Sequence, residues 1–298
     1  MSEGPLIFDR RLLRRRRRRA LVLAPAKFLL ERAAVDLAER LTAVLRAFPL
    51  ALDLGTPGDE VRAALAALDS IGAVVAANAG GEGPDGSLFV AADEEALPFG
   101  DAAFDLVVSA LALQFVNDLP GTLLQIRRAL RADGLFLAVL LGGETLTELR
   151  QSFAAAESEI EGGASPRVAP FADLRDLGAL LQRAGFALPV TDSDRITVRY
   201  DSAFGLMHDL RRMGATNPLI DRGRVPLKRA TLMRMAEIYS ERFADSDGRV
   251  RATFELMWLS GWAPHPDQQR PLKPGSAQAR LADALGTREL PAGEKAGE

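Results

Sequence analysis

Hydrophobic residues in this chain fall into two kinds of run. Residues 104–111 and 135–141 are continuously apolar, the first opened by Phe104 and Asp105, with no alternation. That is how strands buried on both faces of a parallel sheet read. Between them, Asp118 and Pro120 open a segment in which Leu123, Leu124, Ile126 and Leu130 recur at helical spacing, up to an Asp133-Gly134 stop. Strand, helix and strand make a right-handed crossover unit. Shorter apolar runs at 50–54, 73–77 and 88–92 supply three more strands, with a helix at 61–68 after the first. The pattern predicts an α/β fold with a mostly parallel, seven-stranded, Rossmann-like sheet.

Further along, 171–184 is expected to be helical and closed by Gly185-Phe186, 196–200 to be a strand, and 253–261 the last strand. Helices at 203–213 and 227–243 lie between these strands. The division that follows is a basic arm and helix over 1–47, a core over 48–200 with an insertion at 143–170, a helical lid over 201–249, a final core strand within 250–264, and a tail over 265–298. Insertion and lid are expected to cover the carboxyl edge of the sheet, where such caps exclude water and shape an acceptor site.

Composition narrows the chemistry. Of 298 residues, 48% are hydrophobic, ample for a core, and no apolar run is long enough to span a bilayer. With no secretory signal, a soluble protein of the bacterial cytoplasm is expected. Zero cysteines excludes disulfides, thiolate nucleophiles and zinc-thiolate sites, and two histidines exclude a histidine-rich metal site, so no metal is expected. A net charge of -3 gives no reason to expect nucleic acid. Charge is nevertheless uneven: Arg10, Arg11 and the run from Arg14 to Arg19 form a basic arm ahead of an amphipathic helix at 27–48. The arm reads either as a dock for an acidic protein, RNA or anionic lipid, making peripheral membrane contact, or as a solvated helix face.

Cofactor chemistry belongs at the carboxyl edge of the first strand, in the loop Asp53-Leu54-Gly55-Thr56-Pro57-Gly58-Asp59. Glycines there let backbone approach a nucleoside without side-chain collision. Gly55 is in place; Thr56-Pro57-Gly58-Asp59 reads as a type II turn with Gly58 at the position of positive φ. Asn78, at the end of the second strand, stands where an acidic residue would take ribose hydroxyls and can still accept one hydrogen bond. Asp93 follows the third strand and is placed either to accept from an adenine amino group or to cap a loop. Gly142 and Gly143 follow the fifth strand, and Glu144-Thr145-Leu146 begins a helix near the mouth of the pocket.

These pieces combine specifically. Phe48-Pro49-Leu50-Ala51-Leu52-Asp53-Leu54-Gly55, Ala92-Asp93-Glu94-Glu95 with Leu97-Pro98-Phe99, Val116-Asn117-Asp118-Leu119-Pro120, Gly142-Gly143-Glu144-Thr145-Leu146, Glu161-Gly162-Gly163, and Gly261-Trp262 with His265, Gln268 and Pro271 occur in order along the chain. In this combination the sequence closely resembles the methyltransferase-like assembly factors of respiratory complex I, mitochondrial and alphaproteobacterial, which are related to the malonyl carrier-protein methyltransferases of biotin synthesis. The resemblance extends to about residue 282.

The resemblance implies a class I S-adenosylmethionine-dependent methyltransferase fold, S-adenosylmethionine as cofactor, and a protein substrate, a complex I subunit among the candidates. It places Asp53, Gly55, Gly58, Asn78, Asp93, Glu94 and Gln114 on the cofactor side, and Glu144, Thr145, Trp262 and His265 on the substrate side. Pro57, Asp59, Asn78 and Gln114-Phe115 depart from the family pattern on the cofactor side and are expected to weaken binding. Three readings stand: methyl transfer, a non-catalytic assembly factor with a degenerate cofactor loop, and the peptidyl-arginine hydroxylation assigned to mitochondrial members. Glu144 suits either a substrate guanidinium or a helix cap, Trp262 a core position or a substrate platform, and His265 a proton shuttle or a loop hydrogen bond.

Overall fold

The computed structural model describes residues 6–80, 88–223 and 225–265, together with 267, 283, 286 and 287. Two compact units divide the chain, Met1–Pro264 and His265–Glu298. Arg224, Gln268, Pro271 and the Lys273-Pro274-Gly275-Ser276 stretch of the expected tail lie outside the described residues.

Seven strands form one sheet: β1 (Phe48–Leu54), β2 (Ile71–Asn78), β3 (Leu88–Ala91), β4 (Phe104–Ala110), β5 (Leu130–Leu141), β6 (Ala187–Tyr200) and β7 (Val250–Trp262). Their order is β3-β2-β1-β4-β5-β7-β6. Pairing from β3 through β5 is parallel, and β7 runs antiparallel to both β5 and β6. Strand order reverses between β1 and β4, the place in an open α/β sheet where a crevice opens at the carboxyl ends. This is the class I methyltransferase architecture expected from the sequence.

Among the described residues the sheet is accompanied by helices α1 (Arg10–Val22), α2 (Phe28–Thr42), α3 (Glu60–Ala66), α4 (Leu119–Ala129), α5 (Thr147–Glu161), α6 (Leu174–Arg183), α7 (Ala203–Arg212) and α8 (Arg229–Phe243). On one face of the sheet, Leu37 and Leu41 of α2 and Val61 and Leu65 of α3 pack on Leu106, Val108 and Val139. On the other, Leu123 and Ile126 of α4 and Leu177 and Leu181 of α6 pack on Val107, Phe136 and Leu259. Each side chain buried in this way contributes about 1.5–3 kcal/mol. Both faces being covered explains why the inner strands carry continuous apolar runs.

A third apolar cluster joins Leu149 and Phe153 of α5, Leu206 and Leu210 of α7, and Met235, Ile238 and Tyr239 of α8 with Phe254 of β7. These helices form the cap. Two expectations change here. Asp133-Gly134 is no helix stop: α4 ends at Ala129, and Asp133 takes a left-handed φ of 57° inside β5, where the pairing with β4 shifts register. β6 begins at Ala187 rather than 196, because as an edge strand it alternates partly buried and exposed residues and lacks the continuous run that marks its neighbours. No helix among the described residues is long and apolar enough to cross a membrane.

Candidate cofactor site

A cavity of about 750 Å³ opens at the carboxyl edge where β1 and β4 diverge, between the sheet, the cap and α1. Of the expected residues, Asp53, Gly55, Gly58, Asn78, Glu94, Gln114 and Thr145 line it. Asp53 is buried at the end of β1, and the Thr56 hydroxyl donates to its Oδ1. Thr56 Oγ1 in turn accepts from the Ala110 N–H at 3.1 Å, tying the loop to the end of β4. Burial pushes the Asp53 carboxyl up to about 7, with the Thr56 hydrogen bond and Arg62 pulling the other way.

Gly55 has φ +74°, and a Cβ there would sit 2.7 Å from Glu94 Oε1 and 3.0 Å from the Ala112 Cβ. The glycine is therefore required by both conformation and space. Gly58 is also at positive φ, but its N–H bonds to the Thr56 carbonyl at 3.0 Å, so the turn closes over three residues, one shorter than the type II turn expected. The acids that follow are compensated: Asp59 pairs with Arg62 at 3.2 Å and Glu60 with Lys27 at 2.6 Å.

Asn78 Oδ1 accepts from the Gly80 N–H at 2.8 Å, which fixes its amide at the cavity wall. Gln114 lies on a one-turn helix (Leu113–Phe115) after β4 and is 9% exposed, and its Oε1 has no hydrogen-bond partner among the described residues. A buried amide oxygen left unpaired costs about 1–3 kcal/mol, which a ligand donor would recover. Leu111 and Leu146, both cavity-lining, hold left-handed φ of 52° and 56°. Such strain in non-glycine residues concentrates at binding sites.

Residues missed by sequence reasoning form the outer wall. The inward face of α1 presents Arg10, Leu13, Arg14 and Arg17 to the cavity. Arg10 pairs with Asp93 at 2.7 Å, Glu95 at 3.1 Å and, more closely, Glu94; Arg14 also pairs with Asp93. The arm is thus neither wholly a solvated face nor wholly a dock: half of it is part of the site, while Arg11, Arg15 and Arg19 remain exposed. The segment leading into α1 is fastened on both sides, since Asn117 Oδ1 accepts from Ile7 and Phe8 N–H at 2.8 Å and the Asp9 N–H donates to Pro218 O at 2.7 Å.

Asp93 does not line the cavity. Its carboxylate is held by Arg10 and Arg14, and its Oδ1 also accepts from the Glu95 N–H at 2.9 Å, a loop-capping arrangement. Glu144 is exposed, with its backbone N–H bonded to Glu255 Oε2 at 2.9 Å. Thr145 is buried; its hydroxyl donates to Glu255 O at 3.3 Å and accepts from Glu255 N–H at 3.1 Å.

The expectation for Trp262 is corrected. Because β7 is antiparallel, Trp262 pairs with Leu135 near the start of the central strands, at the sheet edge opposite the cavity, where it packs partly buried among core residues. His265 falls in the second unit, where its Nδ1 accepts from the Asp267 N–H at 3.1 Å. The cations on and around the cap helices are paired: Arg212 with Asp209 at 3.2 Å, Arg222 with Asp9 at 3.2 Å and Lys228 with Glu161 at 3.3 Å.

Comparison with known proteins agrees with this architecture. Residues 52–138 match the family described as methyltransferase domain. The solved structure of a Bacillus halodurans protein superposes with a TM-score of 0.51 at 18% identity, over 76% of this chain and 97% of that one, a likeness of fold alone. A malonyl-[acyl-carrier protein] O-methyltransferase of Gallionella capsiferriformans is 37% identical over 61% of this chain and 60% of its own length. The mitochondrial arginine-hydroxylase NDUFAF5 of Danio rerio is 39% identical over 94% of this chain and 90% of its own, and that of Homo sapiens is 42% identical over 93% and 83%. With 39 to 42% identity over more than nine-tenths of this chain and most of each relative, the chain belongs to the NDUFAF5 family, on a methyltransferase fold.

Proposed function

We propose that the protein binds S-adenosylmethionine in this cavity and modifies a protein substrate during assembly of NADH-quinone oxidoreductase. The observation that carries the reading is the cavity itself: a volume within the range of nucleoside sites, at the strand-order reversal, with the Gln114 amide oxygen unpaired in its wall. The residues fit the group. Asp53 and Asn78 supply acceptors at the ends of β1 and β2, Gly55 and Gly58 keep the loop backbone close, and Gln114 supplies a third acceptor.

When bound, the cofactor supplies a methyl group on a positively charged sulfur. Transfer of that group needs placement more than acid or base catalysis. The chain's contribution is therefore to orient and to exclude water: Thr56 braces the loop, and Leu146, Leu210 and Phe254 bring the cap down over the opening. Pro57 and Asp59 replace the glycines that the loop carries in the related methyltransferases, and both line the cavity.

A second reading uses the same cavity. Because relatives 39 to 42% identical are named arginine-hydroxylases, the acceptor is read as an arginine side chain of a protein, with methylation and hydroxylation as the competing reactions, the latter requiring an external oxidant such as dioxygen with a two-electron donor. Calorimetry with S-adenosylmethionine and S-adenosylhomocysteine tests the shared premise: micromolar binding is expected, and a further gain is expected for the Pro57→Gly, Asp59→Gly double variant. Absence of binding in both proteins would remove the cofactor from the account and leave an assembly factor. Deletion is expected to abolish NADH-quinone oxidoreductase assembly without creating a biotin requirement, and the reverse result would assign the chain to carrier-protein methylation.

A further inference from the structure

Of the cavity-lining arginines of α1, Arg17 and Arg18 are in none of the pairs described above, and of these two Arg18 is exposed while Arg17 is partly buried. Arg17 lies two turns beyond Arg10 on the inward face of α1, and among the described residues no carboxylate comes within ion-pairing distance of it. Its Nη1 is 3.5 Å from the Gly55 carbonyl oxygen and its Nη2 3.4 Å from that of Leu111, both at the limit of a hydrogen bond. The guanidinium stands 6.0 Å from the centre of the Phe115 ring. Burial works against its charge, with Glu94 the main opposing influence, yet Glu94 is already bound by Arg10.

Its position is fixed by the backbone. Gly214, in the turn after α7, has φ +67°, and a Cβ there would meet the Arg17 Cα at 2.8 Å and the Arg17 N at 3.1 Å. The cap thus presses α1 against the cavity at Arg17 itself. A partly buried guanidinium held over the Gly55 carbonyl and left without a counter-charge is a site for an anion, and its planar fork suits a carboxylate.

We propose that Arg17 binds the α-carboxylate at the amino-acid end of an S-adenosyl nucleoside. This rests on the cofactor reading above. It gives the arginine arm a ligand-binding role and explains how a loop with Pro57 and Asp59 in place of glycines still holds the nucleoside: the carboxylate is gripped by a side chain that α1 lays over the loop at Gly55.

Calorimetry with three ligands tests it: S-adenosylhomocysteine, its decarboxylated analogue, and 5′-methylthioadenosine, which lacks the whole amino-acid end. In the natural protein, removing the carboxylate should weaken binding about tenfold to a hundredfold, the range for one charge-assisted contact. Arg17→Gln should lose S-adenosylhomocysteine affinity by the same factor and retain 5′-methylthioadenosine, which also shows that the variant is folded. Arg17→Lys should recover part of the loss. Equal affinity of the natural protein for all three ligands, or equal losses for all three in Arg17→Gln, would overturn the role of Arg17 while leaving the nucleoside site intact. Failure of the natural protein to bind any of the three would overturn the cofactor reading, and the proposal with it.

Discussion

Asp53 shows how much one residue's environment decides. It was recognisable in the sequence as the acid at the end of the first strand, but its charge state was not, because that depends on burial by residues distant in the chain. In the fold, burial lifts its carboxyl from the ordinary 3.8 to about 7. Between those values the folded protein holds a proton that the unfolded chain has released, so stability falls as pH rises through the interval and the full penalty is present above 7. A shift of this size corresponds to on the order of 4 kcal/mol. Asp53→Asn, which keeps an acceptor for the Thr56 hydroxyl, is expected to flatten the decline between pH 5 and 8 and to be the more stable protein at pH 8. Chemical denaturation at several pH values measures this, and parallel curves for the two proteins would show that Asp53 ionises as it does in water.

At the scale of elements, α1 was the hardest to read. Eight arginines in ten positions carry no apolar period, and the partners that turn one face inward, Asp93, Glu94 and Glu95, lie some eighty residues away in sequence. The inner strands were readable for the opposite reason: their two covered faces leave an unbroken apolar run in the sequence itself. Gly214 packs directly on α1 at Arg17, and comparison with Gly162 separates backbone conformation from contact. Gly214→Ala combines a left-handed φ with a clash against rigid backbone, whereas Gly162→Ala, at φ +74° after α5, meets nothing within 4 Å. The second substitution is expected to cost about 1 kcal/mol, from conformation alone, and to leave nucleoside affinity unchanged. Gly214→Ala is expected to cost about 2–3 kcal/mol and to weaken S-adenosylhomocysteine binding, since α1 must move away with Arg17. Thermal melts and calorimetry on the pair check both; equal effects would mean that α1 is not set by this contact.

For the whole molecule, strand direction decides which residues share a site. The family resemblance places Trp262 with Glu144 and Thr145 on the substrate side. The antiparallel β7 breaks that logic: its first half, at Phe254, enters the cavity, and its last residue returns to the opposite edge beside Leu135 and Ala187. Direction is set by the long return through α7 and α8, which brings β7 back antiparallel to β6 and for which the sequence offers no local mark. The consequence can be measured. Trp262→Ala removes a partly buried ring from the core and is expected to cost about 2–3 kcal/mol of stability, with S-adenosylhomocysteine affinity and the proposed modification of a protein substrate unchanged once the variant is folded. Phe254→Ala, at the other end of the same strand, is expected to reduce both stability and binding, because the same side chain serves the cap's core and the cavity wall. If Trp262→Ala left the melt untouched and abolished modification, the substrate would reach the far edge of the sheet, and the catalytic surface would have to extend around the molecule from the cavity to that edge.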